Sequence, residues 1–302
     1  MQEILGRAGC FVAIILLGYV LRRINFFKEG DFTVLSKIVL KITLPAAIVS
    51  SFAGKEIDLA LLSLAVISLG IGIFYMFVMF VLNAKRGKDA QAFEILNTSG
   101  YNIGNFTLPF VQSFLGPVGV ITTSLFDVGN ACICLGGAYS VASIVKSGGK
   151  FSPLKILKAL SKSVAFDTYV LMVLMVLLNL RLPGVVVSLA EIIANGNAFL
   201  AMLMIGVGFK LSGERSQIGA IVRVLTVRYS IAAFVAAGCY LLLPFSLEVR
   251  QALVVLAFSP IASAAPAFTG DMKGDVGLSS AINSISIICS IVIIVTLLVL
   301  ML

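Results

Sequence analysis

GYNIGNFTLPF, residues 100–110, lies inside a run apolar enough to cross a membrane, yet it holds two glycines, two asparagines, a threonine and a proline. Proline removes a backbone donor and clashes with the preceding turn, and asparagine competes for backbone hydrogen bonds. Hydrocarbon offers no water to the groups that such a break releases. An interruption there is tolerated only where protein or a water-filled cavity meets them. The stretch therefore reads as a broken helix at mid-depth.

The solvent follows from composition. Of 302 residues, 60% are hydrophobic and 12% charged, there is no tryptophan or histidine, and the mean hydropathy is +1.10. Soluble domains run near 45–50% apolar and about 25% charged, so this composition specifies an all-α integral membrane protein. Ten apolar segments approach the length that spans a bilayer: roughly 3–22, 32–53, 58–82, 91–115, 117–145, 157–181, 184–210, 217–243, 246–270 and 276–301. The runs are too long and uniform for a transmembrane β-barrel, and the short connections hold no soluble domain. Segment one is followed, not preceded, by Arg22 and Arg23, the reverse of a signal peptide. It is expected to be a retained span with an outside N-terminus.

Charge placement gives the expected topology. The odd-numbered loops and adjoining helix ends hold Arg22, Arg23, Lys28, Lys37, Lys41, Lys85, Arg86, Lys88, Lys146, Lys150, Lys155, Lys158, Lys162, Lys210, Arg215, Arg223, Arg228 and Lys273, 18 of the 22 basic residues. Arg7, Lys55, Arg181 and Arg250 are the remainder. Cytoplasmic loops carry the Lys/Arg excess, so both termini are expected outside a cytoplasmic (inner) membrane. The net charge of +8 is then mostly a topology signal. It suits membrane lipid or an anionic substrate and gives no reason to expect nucleic-acid binding. All five cysteines, Cys10, Cys132, Cys134, Cys239 and Cys289, fall in apolar spans. Cys132 and Cys134 point to nearly opposite sides of a helix, which disfavours a metal site.

A repeat organises the whole chain. Pro109 in segment four and Pro260 in segment nine stand half a chain apart, as do Asn130 in segment five and Asn283 in segment ten. Two halves, 1–150 and 151–302, would each hold five spans, and an odd number turns the second upside down relative to the first. Inverted repeats with discontinuous helices at corresponding positions point to a secondary transporter with its site near the midplane. Isolated prolines would be mere kinks; a polar, glycine-rich break repeated at half-chain spacing argues for two broken helices that cross. Their half-helix N-termini would present free N–H groups and partial positive charge, a setting for an anion.

The candidate binding set is Asn102, Gly104, Asn105, Thr107 and Pro109 from segment four with Ser259, Pro260 and Ser263 from segment nine. Asn130 and Asn283 stand beside them, and Thr43 and Pro45 of segment two flank the crossing. Thr123, Asp127, Asn130 and Cys134 share one helix side, and a mid-depth carboxylate is a functional candidate by default. Asp127 is expected to carry a proton, coordinate a cation, or accept bonds from the unwound backbone. Segment ten carries a similar stripe, Ser279, Asn283, Ser286 and Ser290, without a carboxylate. Asp167 is expected at the interface, and Glu94, Asp271 and Asp275 at helix caps or in water. The Asn195-Gly-Asn197 stretch of segment seven either faces the cavity or starts its helix at the outer surface.

Asn102-x-Gly104 followed by Leu108-Pro109, together with Leu44-Pro45, the Gly116–Asn130 stretch and Ser259-Pro260, resembles the auxin efflux carriers. That family includes the plant PIN proteins and many bacterial permeases. The resemblance implies ten transmembrane helices in two inverted five-helix repeats with helices four and nine crossing, an elevator architecture similar to PIN, bile-acid-symporter and NhaA-like carriers. It implies organic-anion substrates, such as auxin or small carboxylates including malonate, with Asn102, Pro109 and Pro260 marking the crossover and Asn130 beside it. Thr107 stands where the family often has glycine, Phe199 where proline is frequent, and Ser163-Val164 where Asn-Pro is usual. The expected function is an alternating-access permease for a small organic anion, without a cofactor, using H⁺ or Na⁺ if it couples to an ion. A ligand sensor or scaffold with the same pocket is the alternative. With no histidine, no phosphate-binding Gly-x-x-x-x-Gly-Lys-Ser/Thr loop and no paired mid-depth carboxylates, no catalytic residue is assigned. The glycine-rich faces Gly70–Gly72 and Gly136–Gly137 suit close packing in a homodimer.

Overall fold

The computed structural model describes residues 2–28, 30–55, 58–148, 152–209 and 217–302. Lys150, Lys210 and Arg215 of the expected cytoplasmic cations lie outside the described residues. Among those described, seven helices are long and apolar enough to span a membrane: Leu5–Arg23, Asp31–Phe52, Leu59–Leu82, Gly116–Ser147, Gly184–Gly208, Ile218–Leu242 and Val276–Met301. They match expected segments one, two, three, five, seven, eight and ten to within a few residues. Their outer faces expose Leu16, Val66, Phe234 and Leu241, as apolar helices facing lipid must.

Segments four and nine are interrupted, as their sequences require. Segment four is Lys88–Thr98, a four-residue gap, a π-helical turn Ile103–Thr107, then Leu108–Phe114. Segment nine is Leu247–Ala257, a longer gap, then Ala265–Asp271. No half is long enough to cross hydrocarbon by itself. Thr-Leu-Pro occurs twice, at Thr43–Pro45 and Thr107–Pro109, each time directly after a π-helical turn, Val39–Thr43 or Ile103–Thr107. The wider turn accommodates the proline ring that an α-helical turn would strike.

Segment six departs from expectation. A continuous helix over 157–181 is replaced by a short helix Pro153–Leu160 bent 82° from Val164–Leu177. The polar Ser161-Lys162-Ser163 stretch ends the first helix, and the Ser163 hydroxyl accepts the Phe166 N–H to start the second. Lys155, Lys158, Leu154 and Leu157 are exposed on the short helix, the two-sided character of a helix lying along an interface.

Small residues set the helix spacing. A Cβ on Gly18 would strike the Leu203 carbonyl, and one on Gly206 would strike the Ile15 carbonyl, so segments one and seven close on each other through reciprocal glycines. Gly129 sits equally tightly on the Ala65 carbonyl of segment three. Such contacts replace the hydrophobic drive that is missing between helices in lipid. The faces suggested for dimer contact are partly used within the chain: Gly72 meets Ile133, Gly136 meets Ile156, and Gly70 alone opens onto free space. Gly129→Ala is expected to lower stability by about 1–3 kcal/mol, as overpacking does, while Gly70→Ala leaves it unchanged. Thermal unfolding in detergent, followed with a thiol-reactive dye because the chain lacks tryptophan, compares the two.

Candidate functional site

The two breaks meet. Tyr101 and Ile261 form an antiparallel bridge, with Asn102 N–H donating to Pro260 O at 2.8 Å and Ala262 N–H donating to Gly100 O at 3.2 Å. Each interrupted strand of backbone thus supplies part of what the other lacks. A third link is the Thr107 hydroxyl, which donates to Ser259 Oγ at 2.6 Å, and a fourth is Asn105 Nδ2, which donates to Ser263 Oγ at 3.3 Å. Pro109 lies buried one turn beyond, in the first turn of the second half-helix.

Segments five and ten clamp this bridge from their polar stripes. Because the Tyr101 N–H can only donate, the Asn130 amide turns its oxygen to it, at 3.0 Å. Its NH2 then donates to Tyr101 O at 3.0 Å and to Asp127 Oδ1 at 2.8 Å. Asn283 Nδ2 donates to Ile261 O and Ala262 O, and Ser286 Oγ accepts the Ile261 N–H. One asparagine serves the first break; an asparagine and a serine share the task at the second. Cys134 donates toward Asn130 Oδ1 and Tyr101 O, and Ser290 donates to Phe258 O. Thr123 shares the helix side, and its buried hydroxyl has no partner among the described residues.

Asp127 is fixed by two donors, Asn130 Nδ2 and the Tyr169 hydroxyl of segment six, the latter at 3.0 Å from Oδ2. Gly104 lies beside it: a Cβ there would stand 3.9 Å from Oδ2 and 3.0 Å from a Leu44 methyl. Thr43 and Pro45 lie on either side of Leu44, whose methyl abuts Gly104, and bond elsewhere than to the bridge. Thr43 donates to Asn197 Oδ1 at 2.9 Å, Asn197 donates to Gln112, and Pro45 occupies the first turn of Leu44–Phe52. Of the Asn195-Gly-Asn197 stretch, Asn195 is exposed and Asn197 is buried in that network.

Arg228 requires a correction. Counted by sequence among the cytoplasmic cations, it stands mid-way along Ile218–Leu242 with 1% exposure. Its guanidinium donates to Thr98 O, at the end of one half-helix, and to Ser259 O at 2.8 Å and Pro260 O at 3.2 Å, after the end of the other. The rings of Tyr101 and Tyr75 lie 5.0 and 5.6 Å from Cζ. A planar cation with five donors matches two carbonyl-bearing helix ends, whose partial charge is negative. Its depth was the available signal, since Arg228 lies about 15 Å along the helix from Ile218 at 1.5 Å per residue. Glu94 is corrected too. Neither a cap nor in water, it is 5% exposed, paired with Arg86 and Arg223 and bonded by Asn83 at 3.0 Å. Asp167 is exposed in the first turn of its helix, and Asp275 caps Val276–Met301 through Leu278 N–H, as expected.

Residues 10–166, just over half the chain, match the family model described as "Membrane transport protein". The chain belongs to this family, the auxin efflux carrier or PIN-like transporters. The matched part of the family pattern runs from segment one into segment six and includes the first break, Asp127 and Asn130. A relative in Methanothermobacter thermautotrophicus, named an uncharacterized transporter, is 24% identical over 289 residues covering 93% of each chain. The protein is thus a multi-pass membrane protein of a transporter family.

The geometry ranks the contacts at the crossing. Arg228→Met would leave the Thr98 and Ser259 carbonyls without their donor and Pro260 O with only the Asn102 N–H, and is expected to cost most, about 1–3 kcal/mol for each stranded carbonyl. Asn130→Ala, which strands Tyr101 N–H and leaves Tyr101 O only the Cys134 thiol, is expected to cost about 1–3 kcal/mol. Asn283→Ala is expected to cost less, because Ser286 still accepts the Ile261 N–H. Dye-monitored unfolding of the three purified variants orders them.

Proposed function

We propose that the protein is a secondary carrier that moves a small organic anion, a carboxylate, across the cytoplasmic membrane by elevator-type alternating access. Its chain forms ten membrane segments in two inverted halves, with both termini outside. The antiparallel meeting of two broken segments at Tyr101 and Ile261 carries this reading. Unwound backbone inside hydrocarbon is costly and is retained where it faces a substrate or ion path.

Three further observations support it. Links between the halves recur at near half-chain separation: Thr43 with Asn197 at 154, Thr107 with Ser259 at 152, and Tyr75 with Arg228 at 153 residues. Such regular spacing is what two inverted repeats facing each other would give. Second, Arg228 occupies the carbonyl-bearing ends of the half-helices and brings a buried positive charge to the crossing. Third, Asn105 is half-buried and Ser263 exposed where the two broken segments join, and beyond their shared bond the Asn105 amide keeps a second N–H and Ser263 its hydroxyl hydrogen to donate. An anion would meet donors on this face, and it would do so in a low-dielectric setting where they count most.

Proteoliposomes with the purified chain are expected to exchange labelled small mono- or dicarboxylates. Asn105→Ala is expected to weaken carboxylate binding at least tenfold, about 1.4 kcal/mol, with the unfolding midpoint within error of the parent. Equal binding by parent and variant, or no carboxylate exchanged at all, would refute the assignment.

A further inference from the structure

We infer that the crossover takes up a monoanion together with one proton, the proton residing on Asp127 and the balancing positive charge being that of Arg228. This deepens the anion-carrier reading and rests on it. The observation is an unusual pairing of isolated charges. Arg228 is buried with only carbonyl oxygens and aromatic rings as described partners. Among the described residues, Asp127 receives only an amide NH2 and a phenol. The two belong to one connected unit without touching: Asp127 to Asn130, Asn130 to the Tyr101 backbone, and the Tyr101 ring to Arg228.

The charge arithmetic then constrains the cargo. Arginine keeps its proton throughout the physiological range. With Asp127 ionised, the crossover is neutral in total and a monoanion makes it negative in a medium that penalises unpaired charge. With Asp127 protonated, the crossover is positive and the same anion neutralises it. Loading anion and proton together is therefore the state of lowest unbalanced charge, and the loaded site carries none across the membrane.

The bonding assigns the proton to one oxygen. Asn130 Nδ2 has hydrogens and no lone pair to offer, so Asp127 Oδ1 can only accept from it. Tyr169 is a hydroxyl and can reverse, accepting from a protonated Oδ2 and donating elsewhere. The proton goes to Oδ2, the oxygen nearer Gly104. Among the described residues, the titratable or charged groups facing Asp127 are Tyr169 from segment six, Cys134 two turns along its own segment, and Arg228 beyond the Tyr101 ring. Leu44 of segment two brings no charge there. Phenols and thiols ordinarily titrate above neutrality, so Asp127 is the group that exchanges a proton in the test below.

The test is binding of benzoate to the purified protein from about pH 5.5 to 8, a window in which a carboxylate probe stays ionised. Parent protein is expected to lose affinity with rising pH, by about tenfold per unit in the upper part of the window, the slope for one linked proton. Asp127→Asn, a fixed neutral mimic, is expected to bind with little pH dependence. In proteoliposomes, benzoate flux through the parent is expected to ignore an imposed membrane potential, and flux through Asp127→Asn to follow it. Arg228→Gln, if it folds, is expected to lose benzoate binding at every pH while Arg228→Lys keeps it. PH-independent binding by the parent, or an unchanged slope in Asp127→Asn, overturns the coupling and leaves the carrier reading standing. Binding of dicarboxylates alone, with neither benzoate nor acetate taken up, overturns this inference; if no mono- or dicarboxylate binds either protein at any pH, the carrier reading itself fails, and this inference with it.

Discussion

A backbone that stops being helical inside hydrocarbon must find partners for every group it releases, and the rest of this structure is arranged around that requirement. The breaks of segments four and nine release amides and carbonyls at the same place, and the Tyr101–Ile261 bridge lets each answer part of the other's need. The remainder falls to side chains. Asn130, Asn283 and Ser286 serve the bridge residues themselves, and Arg228 serves the carbonyls that precede it. Take away either broken segment and the polar stripes of segments five and ten become buried liabilities.

The division of labour also explains why the two breaks, joined at one bridge, differ in detail. At the first break a single asparagine both donates and accepts, with a carboxylate holding its second N–H. At the second the accepting role passes to Ser286, and segment ten has no acid in the corresponding stripe. Charge is therefore asymmetric across the crossing: the acid comes from segment five and the base from segment eight. Two backbone breaks that answer each other and side chains of different charge around them are compatible, since bridging needs only amides and carbonyls. Electrostatic character is left to whichever side chains project into the gap.

Most of the architecture was legible in the sequence because lipid leaves few options. Apolar length fixes the spans, and the Gly-Asn-Pro content at 100–110 and Ser259-Pro260 fixes where two of them fail. Asn130, Cys134, Asn283, Ser286 and Ser290 of the stripes bond the broken backbone, while Ser279 bonds Asn97, because a polar group in a span must point at protein. What stayed hidden were pairings between distant segments. Glu94 finds Arg86 and Arg223, and Asp127 finds Tyr169, and no spacing rule links residues on separate helices. Arg228 was hidden differently, because a basic residue within reach of a helix end counts toward topology by the same rule that counts loop residues. The bend after Leu160 was missed because three polar residues, Ser161 to Ser163, are too brief to interrupt an apolar average.

The bridge between Tyr101 and Ile261 also imposes an order on synthesis. At about 5–20 residues per second a ribosome finishes segment four on the order of ten seconds before segment nine exists. Throughout that interval the first interruption has Asn130 at most, and neither its cross-chain amide nor the guanidinium of Arg228. The nascent chain must then wait in a hydrated part of the insertion machinery, or dip back toward the surface, until the second half arrives. A protein whose midpoint is completed by its last third cannot mature span by span.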